Sequence, residues 1–552
     1  MSANSGSLRI NRVDLINRRI SAGDLRWKDG VIVAWDEQGA ADPALPWLIP
    51  GLVDAHVHIE SSLLPPAGFA RLALRHGTVA AVSDPHEIAN VLGVDGVRWM
   101  LDNLEGVPFH VLFGAPSCVP ATACESAGAR LDLAEVEALL DTPGIGYLSE
   151  VMNFPGVLAG DTEVLAKVAA ARRRGLPVDG HAPGLRGAAA AAYAAAGIGT
   201  DHECSELAEA EEKLACGMSI LIREGSAARN FAALHPLLSS HPGRVMLCTD
   251  DCHPDDLWQG HIDRLVARAV ALGHDLFAVL EAASLTPQRH YGLKLGALQV
   301  GDPMNAALVT DLEDFAVQAT WVDGVEAFAH GEVCLPHLPV LPINRFCAQP
   351  VDSEDLVIPA AGVRVRCRVI EAADGQLLTR AAIEEMAVRD GRILADPARD
   401  LLLLAVLNRY RPAPPALALI RGFGLKSGAL ASSVAHDSHN VVAVGCDAVS
   451  LAAAIDAVVA ARGGLALACA DGTVELLPLP IAGLMSDAPG EEVAARYAAL
   501  NALARTRLGS PLRAPLMSLS FMALLVIPSL KLSDRGLFDG DRFTFAELVC
   551  RC

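Results

Sequence analysis

Between residues 49 and 295 the sequence contains apolar runs at regular intervals, although no fixed sequence motif is repeated. Apolar, β-rich runs alternate with alanine-rich helical stretches, and a polar residue of a kind that does chemistry follows each run. These polar positions lie roughly 28 residues apart, close to the ~30 residues of one strand-and-helix unit. The pattern predicts an α/β fold, a (β/α)8 barrel with its polar residues at the carboxyl ends of the strands. The eight positions are His56, the segment from Asp84 to Glu87, Ser117, Glu150, His181, His202, Arg223 and Asp250.

The sequence on either side of this barrel segment (49–295) has a different pattern. Residues 1–48 alternate apolar and polar positions between glycine-containing turns, as short antiparallel strands do. Residues 296–345 have a similar character, so we expect the two segments to pair into one β-sandwich that flanks the barrel. After a proline-rich linker, we expect residues 355–552 to form a C-terminal α/β domain.

Charge and composition argue against several classes of protein. The 552 residues carry a formal net charge of −21, which disfavours nucleic acid as a partner because phosphate binding needs a basic surface. The longest uncharged run, 514–530, is short for a membrane span and contains two prolines, so it is expected to be a buried strand or core segment. The 13 cysteines are an odd, scattered number and the first twenty residues lack a signal-peptide pattern, so we expect a cytoplasmic protein without membrane association.

Histidines and one aspartate at the predicted strand ends are candidate metal ligands. One apolar run ends in His56-x-His58, and alternate residues of a strand share one face. Alone this motif is a weak signal, because a buried, hydrogen-bonded histidine is the commoner outcome. His181, His202 and Asp250 follow three further apolar runs. At equivalent strand ends of one barrel, these five side chains can converge on the barrel axis.

The motifs together resemble those of the amidohydrolase superfamily and, within it, the bacterial adenine deaminases. The opening Pro-Gly-x-x-Asp-x-His-x-His at 50–58, the single histidines and the late aspartate carry the first resemblance. The second rests on seven more specific segments and on Gly422 to Lys426, so it covers nearly the whole chain. The seven segments are Ser83 to Asn90, Ser149 to Asn153, Asp179 to Pro183, Asp201 to Glu203, Arg223 to Ser226, Cys248 to Asp251 and Ala435 to Asn440.

The resemblance implies a purine-salvage hydrolase that converts adenine to hypoxanthine and ammonia with two divalent metal ions. It favours Mn or Fe, and Zn suits the same ligands. Many binuclear relatives bridge their metals with a carbamylated lysine on the fourth strand, but this chain has no lysine between Lys28 and Lys167. Glu150 ends the fourth apolar run instead, and a carboxylate can also bridge two cations. We therefore assign His56, His58 and Asp250 to one metal and His181 and His202 to the other, with Glu150 between them.

The resemblance also suggests which groups move protons. Adenosine deaminases of the same superfamily have a His-Ala-Gly-Glu pattern whose glutamate protonates the purine ring, whereas this chain has His181-Ala182-Pro183-Gly184. The donor must therefore come from elsewhere, and we favour Glu87 as this catalytic residue, with Glu203 as the alternative. Asp250 would take a proton from the attacking water and pass it to the leaving amine.

Further residues are expected to contact the substrate. His436 and His439 lie outside the barrel, and their spacing would place both rings on one face of a helix. They could close the barrel mouth as a lid that admits a free base, bind an extra metal, or form a structural pair, and we favour the lid. The full set of predicted substrate-binding residues is His86, Ser117, Arg223, Ser226, His436 and His439.

Two other functions stay open on the sequence alone. A related enzyme could hydrolyse another cyclic amidine or amide with the same metals. A non-catalytic scaffold is disfavoured, because every ligand type that the resemblance implies is present. We expect a small purine base as the substrate, and the resemblance and the 52% hydrophobic content lead us to expect a homo-oligomer, a dimer.

Overall fold

The computed structural model describes residues 4–336 and 339–550. The N-terminal segment forms four strands, in which β1 pairs antiparallel with β2, β2 pairs antiparallel with β3, and β4 runs parallel to β1. Side chains of β1 and β2 alternate between buried and more exposed positions along part of each strand, so that one face of the sheet packs on a core. The strands are β1 (Gly6–Asp14), β2 (Arg19–Lys28), β3 (Val31–Ala40) and β4 (Trp47–Pro50).

Eight parallel strands follow, and most of their residues are buried. β5 to β9 form one sheet and β10 to β12 a second. The backbone amide of Gly199 donates to the oxygen of Val178 at 2.8 Å between the two sheets, and Val57 and Asp250 form a parallel bridge at the other junction. The parallel strands thus curl in a way that fits a barrel. They are β5 (Leu52–Val57), β6 (Thr78–Ser83), β7 (His110–Ala115), β8 (Ile145–Val151), β9 (Val178–Gly180), β10 (Thr200–Asp201), β11 (Ser219–Arg223) and β12 (Val245–Cys248).

Helices join these strands, as parallel pairing requires, and pack against them. Because both faces of the sheet are covered by other parts of the protein, the sequences of its strands are almost continuously apolar. Each of the eight polar positions of the sequence lies at or just beyond the carboxyl end of its strand. The helices are α1 (Pro66–Leu74), α2 (His86–Leu92), α3 (Val94–Asp102), α4 (Leu133–Leu140), α5 (Phe154–Ala159), α6 (Thr162–Arg173), α7 (Gly187–Ala195), α8 (Leu207–Ala215), α9 (Phe231–Leu234), α10 (Leu237–Ser240), α11 (Pro254–Gln259), α12 (Ile262–Ala271), α13 (Leu276–Leu280) and α14 (Thr286–Tyr291).

The chain then returns to the N-terminal sheet. β13 pairs antiparallel with β4, with Leu308 opposite Leu48. Segments from before and after the parallel strands therefore join in one eight-stranded sheet, ordered β16-β15-β14-β13-β4-β1-β2-β3. Ile10, Leu25 and Trp321 belong to the apolar core of this sheet. The returning strands are β13 (Ala306–Val309), β14 (Val317–Val322), β15 (Val325–Ala329) and β16 (Glu332–Val333).

As far as residue 550, where the described residues end, the C-terminal region contains a ten-stranded sheet, a three-stranded sheet and three α-helices. The strands are β17 (Ile358–Pro359), β18 (Arg364–Glu371), β19 (Arg380–Arg389), β20 (Arg392–Ile393), β21 (Leu402–Leu407), β22 (Ala416–Arg421), β23 (Ala429–Ser432), β24 (Val441–Gly445), β25 (Gly464–Ala468), β26 (Val474–Pro478), β27 (Leu530–Ser533), β28 (Gly536–Asp539) and β29 (Thr544–Phe545). The helices are α15 (Ala448–Ala461), α16 (Gly490–Thr506) and α17 (Pro515–Ser520).

The C-terminal region packs directly on the parallel-stranded region. One cluster of buried apolar side chains includes Ile88 of α2 and Leu430 of β23, and α16 packs on α11. The uncharged run 514–530 forms α17 and a following turn-rich segment, so it is buried as expected but is helical rather than a strand at its start. Within the described residues, none of the helices combines the length and the apolar character that crossing a bilayer demands. This packing brings C-terminal residues to the carboxyl ends of the parallel strands.

Candidate active site

The six predicted metal ligands lie in one cluster at the carboxyl ends of the parallel strands. Their donor atoms approach one another to between 2.7 and 3.5 Å. Such separations are those of neighbouring ligands around a cation with bonds of about 2.0–2.2 Å. His56 belongs to β5, His58 directly follows it, Glu150 belongs to β8, and His181, His202 and Asp250 follow β9, β10 and β12.

His56, His58 and Asp250 form the first group. Nε2 of His58 lies 3.1 Å and Nε2 of His56 lies 3.4 Å from Oδ1 of Asp250. Nδ1 of His58 donates to the backbone oxygen of Asp84 at 3.1 Å, which leaves the lone pair of Nε2 free to face Asp250. Both ring nitrogens of His56 are buried, and neither makes a hydrogen bond among the described residues. Leaving a buried polar atom unpaired costs about 1–3 kcal/mol, so the donor set fits a cation that satisfies His56.

Glu150 faces histidines with both carboxylate oxygens. Oε2 lies 2.7 Å from Nδ1 of His181 and 3.1 Å from Nε2 of His202, and Oε1 lies 3.5 Å from Nε2 of His58. Burial alone would raise the pKa of Glu150, but His181 and His202 hold this pKa well below its usual range. An ionised carboxylate with one oxygen toward each group of histidines has the chemistry of a bridging ligand.

Arg223 fixes the orientation of Asp250. Its Nη1 contacts Oδ2 of Asp250, its Nη2 donates to Oε2 of Glu203 at 2.8 Å, and its Nε donates to the backbone oxygen of Ala228 at 2.8 Å. Burial would raise the pKa of Asp250, but the guanidinium and the neighbouring histidines keep it well below the usual value. One carboxylate oxygen of Asp250 therefore faces the arginine while the other faces the histidines.

Glu87 lies in the first turn of α2, and its carboxylate contacts two histidines of the C-terminal region. Its Oε1 accepts from Nδ1 of His436 at 2.6 Å, and its Oε2 contacts Nε2 of His439. Burial would raise the pKa of Glu87, but His436 and His439 hold it well below its usual range. The pKa of Glu203, which burial would also raise, is lowered by Arg223. The structure thus places an ionised carboxylate at both positions where the sequence predicted a proton donor, because each carboxylate is paired with a cationic side chain.

The segment that carries His436 and His439 is a turn between β23 and β24, not a helix. The expectation that the two rings share a helical face does not hold, because both rings turn toward the same carboxylate instead. The ring of His436 stacks on Phe521, with 4.6 Å between ring centroids and 11° between the planes.

The metal-ligand cluster opens into a cavity with one polar and one apolar wall. His86 lines the polar wall, and Nδ1 of His86 lies 3.0 Å from Oδ2 of Asp84. The apolar wall belongs mainly to the run 514–530, for which the sequence predicts only a buried strand or core segment. Its uncharged, aromatic and aliphatic character is the signal that could have revealed it. The apolar residues of the cavity are Met152, Leu377, Phe521, Leu524, Val526 and Ile527.

Ser117 and Ser226 are not brought into this cavity. The hydroxyl of Ser117 donates to the backbone oxygen of Glu150 at 2.5 Å. The hydroxyl of Ser226 donates to Oδ2 of Asp256 at 2.7 Å. The two serines support the backbone and a side chain near the site, and neither lines the cavity, whereas His86, Arg223 and His436 do.

Comparison with known proteins agrees with this geometry. Residues 47–327 match the amidohydrolase family, and residues 376–544 match the adenine deaminase C-terminal domain. The adenine deaminase of Salinibacter ruber is 55% identical over 97% of this chain and 97% of its own length. The chain belongs to the adenine deaminase family. The adenine deaminases of a Sulfurovum species and of Methanosarcina mazei are 50% and 46% identical, with coverage of 99% and 97% of this chain and 99% and 98% of theirs.

Two solved structures share a low level of similarity with this adenine deaminase family member. An adenosine deaminase from Xanthomonas campestris with bound Zn is 17% identical, with a TM-score of 0.44 over 59% of this chain and 93% of that one. N-isopropylammelide isopropylaminohydrolase from Burkholderia multivorans is 18% identical, with a TM-score of 0.43 over 60% of this chain and 100% of that one.

Proposed function

We propose that the cluster around Glu150 is the active site at which this adenine deaminase hydrolyses adenine to hypoxanthine and ammonia. The observation that carries the proposal is the convergence of four histidines, Glu150 and Asp250 at one end of the parallel strands, next to a cavity with an apolar wall. A planar base fits such a wall, because pockets for small ligands combine apolar surfaces with a few placed polar groups.

We propose two divalent cations in this site, Mn or Fe, with Zn compatible. His56, His58 and Asp250 would hold one, His181 and His202 the other, and Glu150 both. Such cations supply a water whose pKa is lowered to about 7. The orphaned ring nitrogens of His56 and the two-sided placement of Glu150 support this assignment.

The side chains around the cluster have separate tasks in this proposal. Asp250 takes a proton from the attacking water and delivers it to the leaving amino group, and Arg223 holds Asp250 in place for both transfers. His86 and the apolar wall orient the base in the cavity. Ser117 supports the backbone of Glu150, and Ser226 supports the loop after β11 through Asp256.

We further propose the domain organisation that the sequence indicated. A β-sandwich of 1–48 and 296–345 would flank a (β/α)8 barrel of 49–295, followed by an α/β domain of 355–552. The contact between β4 and β13 and the curled parallel strands support it. We also propose a cytoplasmic homodimer, for which the free state of the cysteines in the described part of the chain is the support on location.

A panel of free bases tests the proposed function. The purified protein, loaded with Mn²⁺, is assayed for ammonia release from adenine, guanine, cytosine and the nucleoside adenosine. We expect adenine to be the preferred substrate by at least about tenfold in kcat/KM. Preference for another cyclic amidine or amide would favour a related hydrolase instead, and absence of release from every compound would contradict a deaminase.

A further inference from the structure

Both carboxylate oxygens of Glu87 face histidines and both oxygens of Glu203 face Arg223, so each carboxylate is already engaged as an acceptor and we consider another group as the donor of the purine-ring proton. Attack at the ring carbon pushes electrons onto a ring nitrogen, and a neighbouring acid that protonates this nitrogen raises the rate by typically 10²–10⁴-fold. The group has to line the cavity, hold a proton at neutral pH and have a free N–H.

His436 lines the cavity and is buried, and its two ring nitrogens differ. Nδ1 donates to Oε1 of Glu87 at 2.6 Å. Nε2 is buried and has no hydrogen-bond partner among the described residues. The stacked ring of Phe521 limits rotation of the imidazole. Glu87 hydrogen-bonds to one ring nitrogen, and the other, Nε2, makes no hydrogen bond within the described part of the chain. This is the arrangement in which a carboxylate orients a catalytic histidine.

His439 completes the arrangement from the other side of Glu87. Its Nδ1 accepts the backbone N–H of Ala435 at 3.2 Å, so the proton of the neutral ring is on Nε2, which donates to Glu87. Burial lowers the pKa of His439 to about 4, which keeps this ring neutral. Burial also disfavours a charge on His436, but Glu87 raises the pKa of His436 to about 9. Glu87 is thus in direct contact with an imidazolium at His436, and Nε2 of the buried His86 lies 3.4 Å from the same Oε1.

We propose that Nε2 of His436 protonates the purine ring nitrogen adjacent to the reacting carbon, with Glu87 as its positioning residue. This proposal rests on the proposed function. It gives the C-terminal region a direct part in the chemistry, whereas the sequence predicts a lid or substrate contact there, with an extra metal or a structural pair as alternatives.

The atoms balance as follows. The water oxygen bonds to C6, one water proton goes to Asp250, and the electron pair of the C6–N1 double bond moves to N1, which takes the proton of His436. Asp250 then gives its proton to the exocyclic amino group, and the bond between C6 and this amino nitrogen breaks to release ammonia. The second water proton leaves the new C6 oxygen and restores the charge of His436, while the proton on N1 stays in hypoxanthine.

His436→Gln tests the proposal, because glutamine can hydrogen-bond to the base but cannot protonate it. We expect kcat to fall at least about 100-fold, KM to change less than about threefold, and the metal content to stay at the level of the unmodified enzyme. The matched control is His274→Gln, at a half-buried histidine outside the cavity that hydrogen-bonds to Ser239 and His235, and we expect no change in kcat there. A kcat of His436→Gln within threefold of the unmodified enzyme would overturn the proposal.

Glu87→Gln provides a second, independent readout. The acid is active below the pKa of His436 and is lost as the pH rises through it, so kcat/KM should fall above about pH 9. Without the carboxylate this pKa falls, and the alkaline limb should move to lower pH. The other titratable groups that act on His436 are His439, Asp437, Asp251 and His253, and all remain in the variant.

If Glu87→Gln does not shift the alkaline limb of the kcat/KM profile, the proposal is contradicted. This pH profile is the deciding measurement if His436→Gln loses its metals. The experiments distinguish failure of the proposed function from failure of the role of His436. If the unmodified enzyme releases no ammonia from adenine, the proposed function fails. If it does so and both variants behave like it, only the role of His436 fails.

Discussion

Glu150 is the residue on which the metal site depends most, because each of its oxygens faces different histidines. We predict that Glu150→Gln lowers both the metal content and the rate. The amide keeps the volume but loses the negative charge, and its NH2 group cannot bind a cation. Metal analysis of the purified variant and its kcat with adenine measure the two effects. We expect less than about one metal per chain and a kcat at least about 100-fold lower.

The matched variant Glu211→Gln changes an exposed glutamate of α8 and should leave both values unchanged. Full metal occupancy together with near-normal turnover in Glu150→Gln would rule out the bridging role.

Lys213 holds the backbone on both sides of the second group of histidines. Its buried Nζ contacts Asp201 and donates to the oxygens of Ala182 and Glu209, each at 2.7 Å. Asp201 in turn accepts the backbone N–H groups of Ala182 and Glu203, which adjoin His181 and His202. Removing one partner of a buried ion pair leaves the other charge uncompensated, which costs about 3–5 kcal/mol.

We therefore predict that Lys213→Met lowers the free energy of unfolding by about 3–5 kcal/mol, measured by denaturant unfolding. Lys294→Met, at an exposed position, serves as the control and should change it by less than about 0.5 kcal/mol. A loss in Lys213→Met no larger than that of the control would show that the buried charges find other partners.

At the scale of elements, the eight polar positions were predictable because strand ends recur at a regular spacing and parallel strands place them at one edge. The contribution of the C-terminal region to the candidate site was not predictable from the sequence. His436 contacts Glu87 across 349 residues of sequence, and no periodicity links two such segments. The apolar wall was missed for a related reason, since a buried side chain that faces a cavity has the same sequence character as one that faces the core.

The segment after α17 contributes most of that wall, and β27 supports it. Nζ of Lys531 on β27 donates to the backbone oxygens of Phe521 at 2.9 Å and of Leu377 at 2.6 Å. We predict that Phe521→Ala lowers kcat/KM for adenine about tenfold and leaves the metal content unchanged. The loss corresponds to about 1.4 kcal/mol, within the 0.5–1.5 kcal/mol that aromatic contacts contribute beyond burial.

Steady-state kinetics with metal analysis measures this change. Phe543→Ala removes an aromatic ring that is 57% exposed, and its kinetics should match those of the unmodified enzyme. If Phe521→Ala retained full kcat/KM, the segment would be a structural cover rather than a wall of the substrate site.

At the scale of the whole molecule, the candidate active site is shared between two regions of the chain. The parallel strands supply the candidate metal ligands, and the C-terminal region supplies His436, His439 and Phe521. One continuous apolar core joins these regions, so their relative position is fixed by packing. The family membership of the chain was evident from its motifs, whereas the pairing of Glu87 with the C-terminal histidines required the structure.

The most direct test of the account is a metal titration of the apoenzyme. Metal-free protein is titrated with Mn²⁺ while ammonia release from adenine is followed at neutral pH. We predict negligible release without metal and a rate that rises until about two equivalents per chain have bound. Saturation at one equivalent, or full activity without metal, would contradict a site in which Glu150 joins two cations.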